Sequence, residues 1–508
     1  MNETSSKRKA ARHVSIYALG SMIRQLVGFI MLPVYTSYLS PSDYGVVSLL
    51  VVMVSLCEVL IGARFGQAMP KFFYEQADSV WRNTVVSTAL SVTACISILV
   101  TLLVIASSAP ISSLLFGSGN YSGHVSLYSI LLLTMAIESY GLIFFRLQER
   151  PWFFMANSVC KMILQLSLNI WLVVFEELGV MGVIISSIAS SAVFALFAAV
   201  YILWHTGLRF SKKLTVRFFR FSWPLWLAGI AGLYIGSSNR FFIRIFSDLD
   251  QVGLFELATK FSMILALLVW QPFSQWWQTE KFKLFNSPDQ GISVFPVVYN
   301  GITLVLVFCA IGITLFGDIV IQIMSDDAFH SAANAIVFLA YAQCVKSLTL
   351  FFTFSFLVKE KTIITSYLSY GSATVITVCY FLFIPQYGFV GAALSQLVAN
   401  SILFFVTVYL ARKVFDSGIR IKYSVTVILI SSVFVVLDWY FRSSLNEILD
   451  LFLMKALLTL FLMVFLGWCV WMNPSLFRLS KELYSVIFWR FIVKSSIDRK
   501  ERGNGKNL

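Results

Sequence analysis

Charged side chains inside long apolar stretches are the residues of this sequence best suited to bind a ligand or carry a proton. A charge in the lipid interior is costly, so such residues usually face a cavity or a partner. Seven bases and three acids lie in these stretches, which leaves an excess of positive charge. They are Arg24, Lys161, Arg240, Arg244, Lys260, Lys346 and Lys455, with Glu58, Glu138 and Glu256. The excess predicts a cationic cavity that binds an anion.

The candidate substrate-binding residues of this cavity are Arg24, Lys161, Arg240 and Lys346. Arginine and lysine are the usual partners of phosphate, so a diphosphate is a suitable ligand. The alternative is that each charge belongs to a structural ion pair between helices. Arg240, Arg244 and Lys455 lie near the ends of their stretches, where a long side chain can also extend to the membrane surface.

The acids have separate interpretations. Glu58 and Glu138 are candidates for carrying a coupling proton. Glu138 also lies 208 positions before Lys346, so these two residues are a candidate ion pair between two halves of the protein. Glu256 and Lys260 are spaced i, i+4 and are expected to pair with each other on one helix.

Motifs of enzymes are missing from this sequence. It has no Walker A sequence, no H-E-x-x-H and no G-x-S-x-G. The seven cysteines lie in apolar stretches without C-x-x-C spacing, and the four histidines are scattered. We therefore expect no enzyme activity, no metal site and no cofactor.

Transmembrane helices must position these charges. The chain has 508 residues, of which 58% are hydrophobic and 12% are charged, whereas about a quarter of a soluble domain is charged. The net charge of +13 raises the possibility of nucleic-acid binding. We expect no nucleic-acid partner, because the basic residues are spread between apolar stretches and form no compact module.

Fourteen stretches approach the length of about 20 apolar residues that crosses a bilayer. They lie near 14–37, 45–63, 84–106, 125–145, 152–174, 180–204, 222–244, 253–276, 295–316, 331–357, 363–384, 389–411, 423–437 and 451–472. Lysine and arginine concentrate on the side that holds the N-terminus, which predicts that both termini are cytoplasmic.

An internal repeat relates the two halves of the sequence. The matching pairs, 209 positions apart, are Gly179 with Gly388, Gly182 with Gly391, and Ser186 with Ser395. The segments 39–45 and 246–253 also match and place Gly45 208 positions before Gly253. Since the period covers six helices, an even number, the two halves are expected to share one orientation.

The repeat predicts an all-α polytopic membrane protein of about 14 transmembrane helices, with two pseudo-symmetric six-helix lobes around a central cavity and two further C-terminal helices. Rocking of the lobes would give alternating access. The predicted parts are a cytoplasmic N-terminus at 1–13, an N-lobe at 14–204, a basic cytoplasmic linker at 205–221, a C-lobe at 222–411, helices 13 and 14 within 423–472, and a basic amphipathic cytoplasmic tail at 473–508.

The opening of the chain carries a resemblance to a known family. Its residues are Leu19-Gly20, the run Arg24-Gln25-Leu26-Val27-Gly28-Phe29, Leu32-Pro33 and the run Leu39-Ser40-Pro41-Ser42-Asp43-Tyr44-Gly45. Together they resemble the start of Wzx-type polysaccharide-biosynthesis flippases of the multidrug/oligosaccharidyl-lipid/polysaccharide exporter superfamily. The segments around Gly179 and Gly388 are similar to the sixth and twelfth spans of that family.

The resemblance implies a flippase in a bacterial inner membrane. Its cargo would be an undecaprenyl-diphosphate-linked oligosaccharide, moved to the periplasmic leaflet for O-antigen or another surface polysaccharide. A cationic central cavity is typical of the family, which implies that Arg24, Lys161, Arg240 and Lys346 lie on its wall. The implied partners are the lipid-linked glycan and membrane lipids; a polysaccharide polymerase and chain-length proteins are candidate protein partners.

Three alternatives remain open from the sequence. Fourteen helices also resemble the lipid II flippases of the superfamily, in which the last two helices help to form a groove for the lipid tail. A cation-coupled multidrug exporter is disfavoured by the positive excess, because such exporters usually have twelve spans and acidic cavities. A membrane-embedded glycan polymerase is disfavoured by the lack of a long outer loop.

Overall fold

The computed structural model describes residues 29–61, 65–285, 294–359, 361, 363–442 and 448–471. These residues form helices joined by short turns, and no strand is present among them. Ten of their helices are long and apolar enough to cross a membrane. The chain is therefore an all-α multi-pass membrane protein, as its sequence predicts. The predicted N-terminus 1–13 and tail 473–508 lie outside the described residues.

Most of the longer described helices overlap the predicted apolar stretches, although the helix predicted to begin at 222 begins at Lys212, inside the predicted linker 205–221. Those of the first half are α1 Leu32–Tyr38, α2 Pro41–Ile61, α3 Phe65–Phe73, α4 Ser79–Ala106, α5 Ser108–Phe116, α6 Ser122–Leu147, α7 Pro151–Asn169, α8 Gly179–Thr206 and α9 Lys212–Phe246. Those of the second half are α10 Leu249–Leu265, α11 Gln271–Phe285, α12 Val294–Met324, α13 Ala333–Phe352, α14 Phe354–Val358, α15 Ile363–Val414, α16 Ile421–Arg442 and α17 Ile448–Trp471. α15 bends at Gly388, so it holds two of the predicted stretches.

The two faces of α4 show why lipid is the solvent of this fold. Ser87, Thr88 and Ser97 on its inner face have no exposed surface. Leu99 and Leu102 on its outer face are exposed by 59% and 57%. Water would favour the opposite arrangement, whereas in lipid the small residues let helices approach closely and the large apolar residues face the acyl chains.

The glycines of the internal repeat have the same backbone role in both copies. Gly179 and Gly388 have φ angles of 52° and 54°, a left-handed conformation that favours glycine. A Cβ atom at Gly182 or Gly391 would lie 3.0 or 2.2 Å from a backbone carbonyl oxygen of the preceding helix. In both copies, the repeated glycines therefore form a sharp turn followed by a close contact between helical segments.

Replacement of Gly388 by alanine tests this turn. The new Cβ would lie 1.8 Å from Oε1 of Gln251, and that oxygen accepts a hydrogen bond from the backbone N–H of Phe389 at 2.9 Å. We expect a loss of about 1–3 kcal/mol of stability from the strained φ angle, measured by unfolding in detergent. Gly371→Ala, on the same helix with nothing within 4 Å of its Cβ position, is the control, and equal stability of the two variants would contradict the prediction.

The other repeated segments cap helices. Ser40 Oγ accepts a hydrogen bond from Asp43 N, and Asp43 Oδ2 accepts one from Ser40 N, both at 3.1 Å. This reciprocal pair is a capping box that starts α2. In the second copy, Asp248 Oδ1 accepts a hydrogen bond from Gln251 N at 2.8 Å at the start of α10. The two segments thus share one role, which is to bind N–H groups that the first turn of a helix leaves without a partner.

By its contacts the chain divides into two compact units. The first comprises the described parts of Met1–Phe261, Val320–Ala342 and Thr362–Leu403; the second comprises those of Ser262–Ile319, Gln343–Lys361 and Phe404–Leu508. Each is described by itself below. The predicted lobes 14–204 and 222–411 remain a prediction.

The second unit contains a buried charge cluster. Lys455 Nζ lies 2.6 and 2.5 Å from the two carboxylate oxygens of Asp318 and 3.7 Å from Asp438 Oδ1. Because Lys455 has no exposed surface, the prediction that it extends to the membrane surface is wrong. Sequence analysis missed both acids because α12 and α16 run beyond the predicted stretches 295–316 and 423–437.

Candidate functional site

Two adjoining cavities in the first unit contain most of the described site residues. Cavity 1 has a volume of about 470 Å³ and cavity 2 of about 400 Å³. Tyr35 and Gln165 line both cavities. The walls are formed by α1, α2, α6 and α7 in cavity 1, and by these four helices with α8, α9 and α10 in cavity 2.

Helical periodicity explains which side chains reach cavity 1. The residues that α6 and α7 contribute recur at spacings of three, one and three positions. They are Met135, Glu138, Ser139 and Leu142 on α6, and Ser158, Lys161, Met162 and Gln165 on α7. This spacing places each set on one helix face, so the two polar faces meet at the cavity.

The central charges of cavity 1 are Glu138 and Lys161. Lys161 Nζ donates a hydrogen bond to Glu138 Oε2 and forms an ion pair with it. Ser191 Oγ donates a further hydrogen bond to the same oxygen at 3.1 Å. Lys161 keeps 18% of its side-chain surface exposed. It is therefore both a structural ion-pair partner, as the alternative interpretation proposed, and a cation on a cavity wall.

Glu58 also lines cavity 1, from α2. Its half-buried carboxyl forms no hydrogen bond or ion pair with another residue among those the structure describes. A carboxyl group in that setting can take up or release a proton without breaking an ion pair.

Arg240 is the central charge of cavity 2. Its Nε donates hydrogen bonds to Glu256 Oε2 at 2.8 Å and to Ser48 Oγ at 3.0 Å. Its terminal nitrogen lies 2.6 Å from the same Glu256 oxygen, and Ser48 Oγ is 3.0 Å from that oxygen. Arg240, Glu256 and Ser48 thus join α9, α10 and α2 through one polar cluster.

Lys260 adds a second cation to the wall of cavity 2. Its Nζ lies 4.9 Å from the ring centre of Tyr44 and 5.9 Å from that of Tyr35, within the range of cation–π attraction. The predicted partnership with Glu256 holds as an electrostatic interaction. Arg240 and Ser48 also donate hydrogen bonds to Glu256.

Arg240 and Arg244 do not use the alternative of extending to the membrane surface, since both side chains bind protein groups. Arg244 donates from Nε to the backbone oxygen of Phe116 at 2.8 Å, and from a terminal nitrogen to the same oxygen. It thereby caps the C-terminus of α5, where a guanidinium group is favourable. Its guanidinium lies in the space that a Cβ at Gly117 would fill.

The other two predicted cavity residues have different outcomes. Arg24 lies outside the described residues. Lys346 belongs to the second unit, where its side chain is exposed on α13. The structure thus brings Lys161 together with Glu138 and Glu58, and Arg240 with Glu256.

Ser48 and Gln165 are functional candidates that sequence reasoning missed, and Lys260, expected only as the partner of Glu256, is a further cation on the wall of cavity 2. A signal for Ser48 was present, because it lies 208 positions before Glu256, which is the period of the repeat. Gln165 carries no charge and has no such signal. In chemical terms, the two cavities offer cations for phosphate and hydroxyl and amide groups for sugar hydroxyls.

Comparison with known proteins gives one family and one fold. A family model described as "Polysaccharide biosynthesis protein" matches residues 10–276. No curated protein sequence shows a significant match.

Among solved structures, the lipid II flippase MurJ in an inward closed conformation is similar over 89% of this chain and 97% of that chain, with a TM-score of 0.71 and 12% identity. A multidrug resistance MATE family transporter of the MOP superfamily, in an inward-facing conformation, covers 77% of this chain and 94% of its own, with a TM-score of 0.52 and 15% identity. The MATE multidrug transporter DinF-BH covers 81% and 96%, with a TM-score of 0.52 and 15% identity. At these identities the likeness establishes the fold, which is that of these exporters.

Proposed function

Because this chain belongs to the polysaccharide biosynthesis protein family, we propose that it is a flippase for lipid-diphosphate-linked oligosaccharides. It moves undecaprenyl-diphosphate-linked repeat units from the cytoplasmic to the periplasmic leaflet, for O-antigen or a similar surface polysaccharide. The observation that carries this proposal is the pair of cavities, in which Lys161, Arg240 and Lys260 stand beside hydroxyl and amide side chains. Such a wall suits a headgroup that combines phosphate with sugar.

The proposed site extends beyond the two cavities. Arg24 and Lys346 are proposed as further cations that bind the diphosphate at other stages of transport. Glu58 is the proposed carrier of a coupling proton, because it is an acid on the cavity wall without an ion-pair partner among the described residues. Glu138 is the second candidate, although its pairing with Lys161 makes proton uptake costlier.

The proposed architecture is that of a rocking transporter. The lobes 14–204 and 222–411, which the basic linker 205–221 joins, rock against each other, and the helices within 423–472 form a groove for the lipid tail. The protein lies in the bacterial inner membrane with both termini, including the tail 473–508, in the cytoplasm. The membrane lipids and the lipid-linked glycan are its partners, and a polysaccharide polymerase and chain-length proteins are candidate protein partners.

Deletion of the gene tests the function. The deleted strain is expected to lose surface polysaccharide and to accumulate the lipid-linked repeat unit on the cytoplasmic leaflet, measured by glycan staining and by lipid extraction with sidedness assays. Complementation with Arg240→Gln should give no more than about a tenth of the surface polysaccharide that the native protein gives. The reason is that a charge-assisted hydrogen bond contributes about 1.5–3 kcal/mol.

Arg217→Gln is the matched control for that variant. Arg217 forms an ion pair with Glu75 in which both side chains are substantially exposed, and neither residue lines cavity 1 or 2. This variant should complement fully. Normal surface polysaccharide in the deletion strain would overturn the proposed function.

A lipid II-type flippase is the second candidate, favoured by the extent of the structural likeness to MurJ. Its cargo carries the same diphosphate, so the cavities suit both. Depletion would separate them, because a block in lipid II transport causes lysis whereas loss of a surface polysaccharide leaves cells viable. A drug exporter of this fold is disfavoured by the cationic cavity walls, and unchanged drug susceptibility on deletion would exclude it.

A further inference from the structure

The N-terminal ends of α2 and α10 cross in direct backbone contact. A Cβ atom at Gly45 would lie 2.2 Å from the carbonyl oxygen of Leu249, and one at Gly253 would lie 1.9 Å from that of Pro41. Each of these Cβ positions is also 3.2 Å from the backbone nitrogen of the other glycine. No side chain fits between the helices here. We call this contact the glycine crossing.

The glycine crossing joins equivalent positions of the two copies of the sequence repeat. Gly45 and Gly253 are 208 positions apart, and so are Ser48 and Glu256, which form a hydrogen bond one helical turn further along. Equivalent residues that touch each other must lie near a pseudo-symmetry axis. The two halves of the sequence therefore meet at this axis, beside cavity 2, which Ser48 and Glu256 line.

Polar contacts from α9 also join the two halves of the sequence. Arg240, from the second half of the sequence, binds Ser48 of the first half as well as Glu256. One turn later on α9, Arg244 binds the backbone oxygen of Phe116, also of the first half. In the predicted orientation the N-terminal ends of α2 and α10 face the periplasm.

The Arg240–Glu256 pair differs from the Arg244 contact in that it faces cavity 2. Arg240, Glu256, Ser48 and Lys260 all line that cavity. An anion that enters cavity 2 therefore meets two cations, Arg240 and Lys260, of which the single charge of Glu256 balances only one. A diphosphate carries more charge and more acceptor oxygens than one carboxylate, so it competes effectively for a guanidinium group.

We propose that Glu256 occupies, in the closed state, the place that the cargo diphosphate takes on Arg240, and that displacement of Glu256 opens the glycine crossing. The inference rests on the proposed flippase function. Glu256 is a positioning residue here, since it acts on the cargo through Arg240. Opening then depends on an anionic headgroup. A neutral or cationic molecule leaves the Arg240–Glu256 pair intact, and the protein stays closed at this end, as it does when it is empty.

The experiment measures the distance across the glycine crossing. Spin labels are attached at Ser42→Cys on α2 and Asp250→Cys on α10, in a variant whose seven native cysteines are replaced by alanine. The distance between the two labels is measured by double electron–electron resonance on the purified full-length protein in nanodiscs. We expect one short distance in the native background. Inorganic pyrophosphate should add a longer distance, with the open-to-closed ratio rising about 5- to 150-fold, whereas choline at equal ionic strength should have no effect.

Glu256→Gln should populate the longer distance without pyrophosphate. Ser48→Ala, which removes two hydrogen bonds and no charge, should do so to a smaller degree and serves if Glu256→Gln folds poorly. Glu75→Gln is the matched control, because it removes the carboxylate of the exposed pair with Arg217, and it should keep the native distance.

Two results would overturn the inference: native distances in both Glu256→Gln and Ser48→Ala, or pyrophosphate that leaves the distance unchanged at saturating binding. Either result leaves the flippase function standing if deletion still causes the lipid-linked unit to accumulate. Normal polysaccharide in the deletion strain would instead remove the function itself, whatever the spin labels show.

Discussion

Replacement of Lys455 by methionine is expected to lower the free energy of unfolding by about 3–5 kcal/mol, because it leaves a buried acid without its cation. Lys455 has no exposed surface, and both oxygens of Asp318 lie within 2.6 Å of its Nζ. Methionine preserves most of the side-chain volume, so the loss reports on charge rather than on packing. Steric trapping or thermal unfolding in detergent micelles would measure it.

A second substitution separates the ion pair from its setting. Asp318→Asn combined with Lys455→Met removes both charges of the closest pair, and it should recover most of the stability that Lys455→Met loses. Lys413→Met is the matched control in the same unit, since Lys413 is exposed beside the ring of Tyr409, and it should change stability by less than about 0.5 kcal/mol. Equal stability of Lys455→Met and the native protein would refute the prediction.

The cluster also has a consequence for the two C-terminal helices. Asp318 lies on α12, Asp438 on α16 and Lys455 on α17. Lys455 therefore ties both added helices to a helix of the preceding repeat within one unit. If these helices form a groove for a lipid tail, the cluster is what fixes the groove in place.

Most of the helices could be predicted from the sequence because lipid imposes a simple rule on each of them. A stretch that crosses the hydrocarbon must be apolar and about 20 residues long, and this rule needs no knowledge of tertiary contacts. The repeat was visible for a related reason. Gly179 and Gly388 must both have a positive φ angle, and a strict backbone requirement persists where side chains diverge.

The pairing of charges could not be predicted in the same way. The excess of cations was overestimated, because Asp318 and Asp438 lie in the ends of helices that extend past the apolar windows. Arg244 appeared to be a free cation, yet its partner is a backbone oxygen at Phe116, which no pattern of side chains reveals. Helix ends and backbone acceptors are set by tertiary packing, so a count of charged residues in apolar stretches overstates how many seek a ligand.

Replacement of Gly253 by alanine is expected to abolish most transport. The new Cβ would lie 1.9 Å from the backbone oxygen of Pro41, so α2 and α10 must move apart at the glycine crossing. Overpacking of this kind costs about 1–3 kcal/mol. Because it destabilises only the closed state, it lowers the ratio of closed to open protein about 5- to 150-fold. A transporter that cannot close this end cannot present its cavity to one side only, and complementation of surface polysaccharide should fall accordingly.

The symmetry of the crossing supplies the decisive comparison. Gly45→Ala places a Cβ 2.2 Å from the backbone oxygen of Leu249, so it should reproduce the defect from the other side of the pseudo-symmetry axis. Gly312→Ala is the control, because nothing lies within 4 Å of its Cβ position and alanine favours a helix more than glycine does. Spin labels at Ser42→Cys and Asp250→Cys should show the longer distance in both crossing variants without pyrophosphate. The two backbones in contact leave no space for an added methyl group, so Gly253→Ala must separate the helices there. Full complementation by this variant would therefore mean that the crossing takes no part in the transport cycle.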